Sequence, residues 1–122
     1  MAAEITTLFG QLAGNILRDT SVTNVATLGH TGNTTIYAVE FDNTANSVVT
    51  YLKIYENGAP TIGTTQPSFI LKAQPFTKEY FSAPTGVTHA TAISYLATTT
   101  ASNATATPAA PTTACTLTVL FG

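Results

Sequence analysis

Apolar side chains in this sequence recur at every second position in short runs, and each run is cut by Gly, Pro or Asn before a helical period can establish itself. A chain patterned this way must pair strands. Residues 35–41 are the clearest case, with Tyr37, Val39 and Phe41 sharing one face and Glu40 on the other. The stretch Asp42-Asn43-Thr44-Ala45-Asn46-Ser47 is a turn by composition, so residues 48–55 are predicted to return as the second strand of a hairpin. Both faces of that second strand are apolar, Val48, Leu52 and Ile54 against Val49, Tyr51 and Tyr55, which marks it as central or interfacial. Asn57-Gly58 and Pro60 end it.

Further strands are predicted at 68–73, 76–82 and 90–99, separated by Pro75 and by Ala83-Pro84-Thr85-Gly86. Residues 100–113 are drawn almost wholly from Thr, Ala, Asn, Ser and Pro and read as an exposed loop. A final strand places Cys115, Leu117, Val119 and Phe121 on one face. The whole describes an all-β fold, an antiparallel β-sandwich or jelly-roll-like barrel.

The N-terminal residues are patterned differently. Ile5, Leu8, Phe9, Leu12 and Ile16 match a helix face, yet Ile5, Thr7 and Phe9 also alternate, and Gly10 and Gly14 disfavour a helix. Residues 1–20 are therefore expected to form an extended docking arm, ahead of a single β-sandwich domain over 21–122, whose first strand at 22–28 ends before Gly29-His30-Thr31-Gly32. A length of 122 residues suits one core.

Charge excludes several classes of partner. Four basic and six acidic residues give a net charge of −2, too little positive charge to neutralise a nucleic-acid backbone or hold a membrane surface. No apolar run approaches the ~20 residues of a membrane-spanning helix. Met1-Ala2-Ala3-Glu4 lacks the basic start of a secretory signal, so use without Sec export is expected. Cys115 stands alone and reads as a small buried hydrophobe on the last strand. So few charges protect a free monomer poorly from association, and a homo-oligomer is expected.

The ionisable residues are scattered, and no catalytic, cofactor-binding or metal-binding residue is assigned from them. His30 and His89 have no ligand at metal spacing. Cys115, His89 and Asp42 can be set on paper as a nucleophilic triad, but no motif surrounds them. The oxygens of Asp42 to Asn46 carry one charge and suit a turn better than a calcium loop, while Glu40 and Glu79 read as solvated strand residues rather than paired carboxylates. Tyr37, Tyr51, Tyr55, Tyr80 and Tyr95 read as core or interface residues more readily than as a sugar-stacking platform. A protein without enzymatic activity or cofactor is expected.

Residues 51–67, Tyr51-Leu52-Lys53-Ile54-Tyr55 running into Ala59-Pro60-Thr61-Ile62-Gly63-Thr64-Thr65, resemble a strand and loop of small virion proteins of tailed bacteriophages. Residues 93–101, Ile93-Ser94-Tyr95-Leu96-Ala97-Thr98-Thr99-Thr100-Ala101, with the small-residue loop and closing apolar strand after them, are similar to the same group. The resemblance implies a head decoration, or cement, protein: a small trimeric β-sandwich on the outer surface of the capsid that binds and stabilises the major capsid protein lattice. A clamp of that kind needs area, strand edges and symmetry rather than acids and bases. A tail-fibre or receptor-binding module, including a carbohydrate binder, is the alternative, and would show an aromatic cluster at one end of the fold.

Overall fold

The structure, a computed structural model, describes residues 3–7 and 14–122. Nine strands are found among them: β1 (Ala3–Thr7), β2 (Asn15–Val22), β3 (Thr27–Thr31), β4 (Thr34–Asp42), β5 (Thr50–Tyr55), β6 (Phe69–Ala73), β7 (Lys78–His89), β8 (Ala92–Thr98) and β9 (Cys115–Phe121). They pair antiparallel into a five-stranded sheet, β1-β2-β9-β4-β7, and a four-stranded sheet, β3-β8-β5-β6, packed face to face as a β-sandwich. The last strand occupies the centre of the larger sheet.

The alternation that marks β9 is what fills the core. Cys115, Leu117, Val119 and Phe121 are all buried and meet Leu52 and Ile54 of β5 and Ile93, Tyr95 and Ala97 of β8. A buried polar tie spans the two sheets: the Tyr95 hydroxyl donates to Asp19 Oδ2 at 2.8 Å, and Asp19 Oδ1 accepts from the Ser21 amide at 2.8 Å. Burial, followed by the adjacent carboxylate, pushes the Tyr95 phenol far above its ordinary pKa.

Four expectations change. β4 and β5 are not a hairpin, because they lie in different sheets and the segment between them crosses the sandwich. Phe41 and Leu52 are instead buried in the one core from opposite sheets. Tyr37 does not share the inner face with Val39 and Phe41, since a bulge between Ile36 and Ala38 resets the phase and turns Ile36 inward instead. The Pro84–Gly86 stretch does not end a strand. β7 runs through it at the sheet edge, where Pro84 needs no ladder partner and Gly86 takes φ +82 in a place where a Cβ would collide with Thr35 and Tyr37.

The fourth change concerns residues 1–20. Ala3–Thr7 pairs with β2, and residues 15–20 belong to β2 itself, hydrogen-bonded beside β9 with Leu17 and Asp19 buried. The expected first strand at 22–28 is split between β2 and β3, which lie in opposite sheets. Leu8, Phe9 and Leu12, on which the docking arm was argued, lie outside the described residues.

Candidate interaction surface

The paper triad is dispersed. His89 stands opposite Thr34 at one end of β4, while Asp42 stands opposite Lys78 at the other. Cys115 sits in the core with Asn46 Nδ2 at 3.5 Å and donates to Asn43 Oδ1 at 3.7 Å. Burial, with a smaller contribution from the Asp42 charge, pushes its thiol up to about 11 against the opposing Asn46 hydrogen bond. A thiol so placed is a poor nucleophile at neutral pH. Asp42 itself forms a tight turn: burial opposes its charge, but hydrogen bonds from the Thr44 hydroxyl and amide, with Lys78 nearby, hold its pKa below the ordinary value.

The two histidines are brought to the same end of the sandwich but hold hydroxyls. His30 Nδ1 lies 2.8 Å from Thr34 Oγ1, its ring 4.9 Å from that of Phe121. His89 Nε2 lies 2.8 Å from Ser68 Oγ, and Ser68 donates to the Ile54 carbonyl through both its amide and its hydroxyl. Among the described residues no three His, Cys, Asp or Glu side chains gather at metal-binding distance. Glu40 and Glu79 point to opposite faces of the sheet, being in register with Tyr80 and Phe41 respectively. Of the tyrosines, Tyr55 and Tyr95 are buried, Tyr37 and Tyr51 half-buried, and Tyr80 exposed.

What the structure does separate is two outer sheet faces. That of the four-stranded sheet is covered by the chain itself over β5 and β8, where the 99–109 tract lies across it, while Leu28 of β3 and Ile70 of β6 stay exposed at its sides. Lys53 Nζ donates to the carbonyls of Ala101 and Ser102 at 3.3 and 2.8 Å, Thr98 Oγ1 and the Thr99 amide both reach the Ala109 carbonyl, and Asn24 Nδ2 binds that of Pro108. Under this cover Lys53 and its register partner Leu96 are buried, and desolvation lowers the lysine's pKa. The closure is tight enough that a Cβ on Gly63, at φ +95, would come within 2.9 Å of the Ala106 backbone.

The outer face of the five-stranded sheet has no such cover among the described residues. Ala38, Glu40, Tyr80, Ser82, Thr118 and Leu120 line a groove of about 270 Å³ on it. Arg18 reaches over β9 to Thr118 at 3.4 Å, and Lys78 lies 4.0 Å from both Glu40 and Asp42. Ion pairs this exposed add little to stability.

A second exposed feature lies at the end of the sandwich where the chain crosses between sheets. Phe76 is 63% exposed with φ +58, the single non-glycine at positive φ among the described residues, and Val48 near it in the network is 44% exposed. Both are fixed by buried asparagines. Asn43 Nδ2 donates to the carbonyls of Val48 and Gln74, the Phe76 amide donates to the Asn46 carbonyl, and Asn46 binds Thr113 through both ends of its amide. The sequence assigned these asparagines to a turn, which is correct, but their burial depends on partners as distant as Thr113 and could not be read locally.

No family model matches this chain, and comparison with curated proteins and with solved structures likewise returns no match.

Proposed function

We propose that this chain is a structural virion protein of a tailed bacteriophage, a decoration protein that binds the outer surface of the head and stabilises the major capsid protein lattice. The observation that carries the reading is Phe76. A bulky aromatic at positive φ costs about 1–3 kcal/mol, and this one is exposed rather than packed. Folding alone gains nothing from holding an apolar ring in water on a strained backbone. A partner with a pocket for the ring does, since burying such a side chain on binding is worth ~1.5–3 kcal/mol.

The sequence resemblance to decoration proteins supports the identity of that partner, and the rigid asparagine scaffold supports the role. A site pre-formed on buried hydrogen bonds pays little ordering entropy when it docks. The test is Phe76→Gly. Glycine suits the backbone at this position, so the variant is expected to melt at or above the wild-type temperature. On heads stripped of their native decoration its affinity is expected to fall at least ~tenfold. Equal occupancy of wild type and Phe76→Gly would remove the basis for the reading.

A further inference from the structure

We propose that the outer face of the five-stranded sheet is a contact between two copies of this chain, stacked face to face about a two-fold axis that runs along β9. This contact is independent of the capsid-binding reading, because it uses a different face and different residues from the Val48–Phe76 tip.

The register supplies the reason. Residues directly opposite in antiparallel strands point to the same side, so the strand partners assemble into rows across the face. One row reads Glu4, Arg18, Thr118, Glu40, Tyr80 from β1 to β7. The next reads Ile16, Leu120, Ala38, Ser82 across β2, β9, β4 and β7. β9 is the middle strand. A two-fold axis along it leaves height unchanged and exchanges left with right, so β2 of one copy faces β4 of the other and β1 faces β7.

The consequence is charge complementarity on both sides of the axis. Arg18 of each copy meets Glu40 of its mate, Glu4 meets the exposed phenol of Tyr80, Ile16 meets Ala38, and Leu120 packs on its own symmetry equivalent. The other in-plane two-fold, perpendicular to the strands through the charged row, sets Arg18 on Arg18 and Glu40 on Glu40 and is opposed. Arg18 already leans toward the axis through its contact with Thr118. Such an isologous pair is the commonest form of closed assembly, and packed sheets keep their strands within about 30° of each other, which the stacking preserves.

Area is sufficient. Five strands about 4.8 Å apart and about seven residues long cover roughly 550 Å² in plan, and side-chain relief brings this toward the ~800 Å² per partner of a stable interface. The four-stranded sheet offers no flat face of this kind, because residues 99–109 already lie over β5 and β8 at its middle. A two-fold pair, rather than the trimer that the resemblance implies, is what this face supports.

The test is sedimentation equilibrium on the full chain at micromolar concentrations, with thermal melting to confirm that each variant folds. Wild type is expected to be a monomer–dimer equilibrium. Arg18→Glu and Glu40→Arg should each weaken the dimer at least ~tenfold, and the two together should restore it, since each copy then offers the reversed pair. Leu120→Lys, which sets two cations against each other on the axis, should leave a monomer. If Leu120→Lys fails to fold, the charge swap carries the test by itself. A wild-type monomer at ~100 μM, a face occupied instead by the chain's own residues 8–13, a trimer, or a dimer indifferent to the charge reversals would overturn the proposal.

Discussion

The two sheets of this sandwich solve the same problem in different ways. Each has an inner face buried against the other, and each must do something with its outer face. The four-stranded sheet covers the middle of its own with residues 99–109 and with the turn at Asn57 and Gly58, so that β8 is buried at every position from Ala92 to Thr98 and even a lysine, Lys53, is sealed beneath. The five-stranded sheet alternates cleanly, as β9 shows, with buried residues separated by half-exposed Thr116, Thr118 and Leu120. A strand apolar on both faces therefore marks cover by the chain itself, whereas a strand that alternates leaves a face available to others.

The sharpest way to break this comparison is to remove the cover. Replacing residues 101–110 with a short Gly-Ser link exposes Lys53 and Leu96 and removes the acceptors of Lys53 and Thr98, and at ~1.5–3 kcal/mol for a large apolar side chain with the lost hydrogen bonds added, the loss rivals the whole stability of a small domain. Cooperative thermal unfolding is expected to disappear. Conservative changes on the bare face, such as Ser82→Thr or Thr118→Ser, should shift monomer stability by no more than ~0.5 kcal/mol in denaturant titration. A bare-face change as costly as the deletion would show that the two faces are not distinct.

Next in size is the tie between the sheets. Tyr95→Phe leaves Asp19 Oδ2 buried without its phenol donor, and a loss of ~2–4 kcal/mol is expected from chemical denaturation. Gly63→Ala sets a Cβ against the Ala106 backbone at positive φ and should cost ~1–3 kcal/mol. Because this strain lies between the covering tract and the 56–68 loop, proteolysis within 100–113 should quicken in that variant. Unchanged cleavage would place the contact outside the cover.

The smallest expected effect is alkaline. Both Tyr95 and Cys115 have pKa values raised by burial, Cys115 from 9.0 to about 11, so the unfolded chain loses these protons first and binds fewer than the folded chain. Stability from these groups is complete below about pH 9 and declines as pH rises toward 11, while the lowered pKa of Lys53 works in the opposite sense. Melting temperatures followed through this range should fall less steeply for Cys115→Ala than for wild type. An identical slope would mean that the thiol is not protected by the fold.

Much of the sandwich was legible because period-two alternation reports directly on a half-buried strand, as it does at Leu117, Val119 and Phe121. Long-range partners were not legible. The turn at Asp42 to Ser47 has the composition of a hairpin, and nothing local reveals that Asn43 and Asn46 are buried against Gln74 and Thr113 to carry the chain between sheets. Residues 100–113 form the loop their composition suggests and most of them are exposed, but nothing in a tract without a hydrophobic period reveals that its carbonyls hold Lys53 and Thr98 beneath it. Asp19 was overlooked as one scattered acid, although its two-residue offset from buried Leu17 places it on the inner face. Phe76 was visible only as a strand residue, since backbone strain leaves no mark on residue type.

The division into a self-covered and a shared face is tested most directly by hydroxyl-radical footprinting of the full chain at nanomolar and at high micromolar concentration. Leu96 and Tyr55, under the chain's own cover, are expected to resist oxidation at both concentrations. Tyr80, Leu120 and Ile16, on the open face, should be modified in dilute solution and become protected as the concentration rises. Equal modification of these three residues at both concentrations, or ready oxidation of Leu96 and Tyr55, would contradict the account.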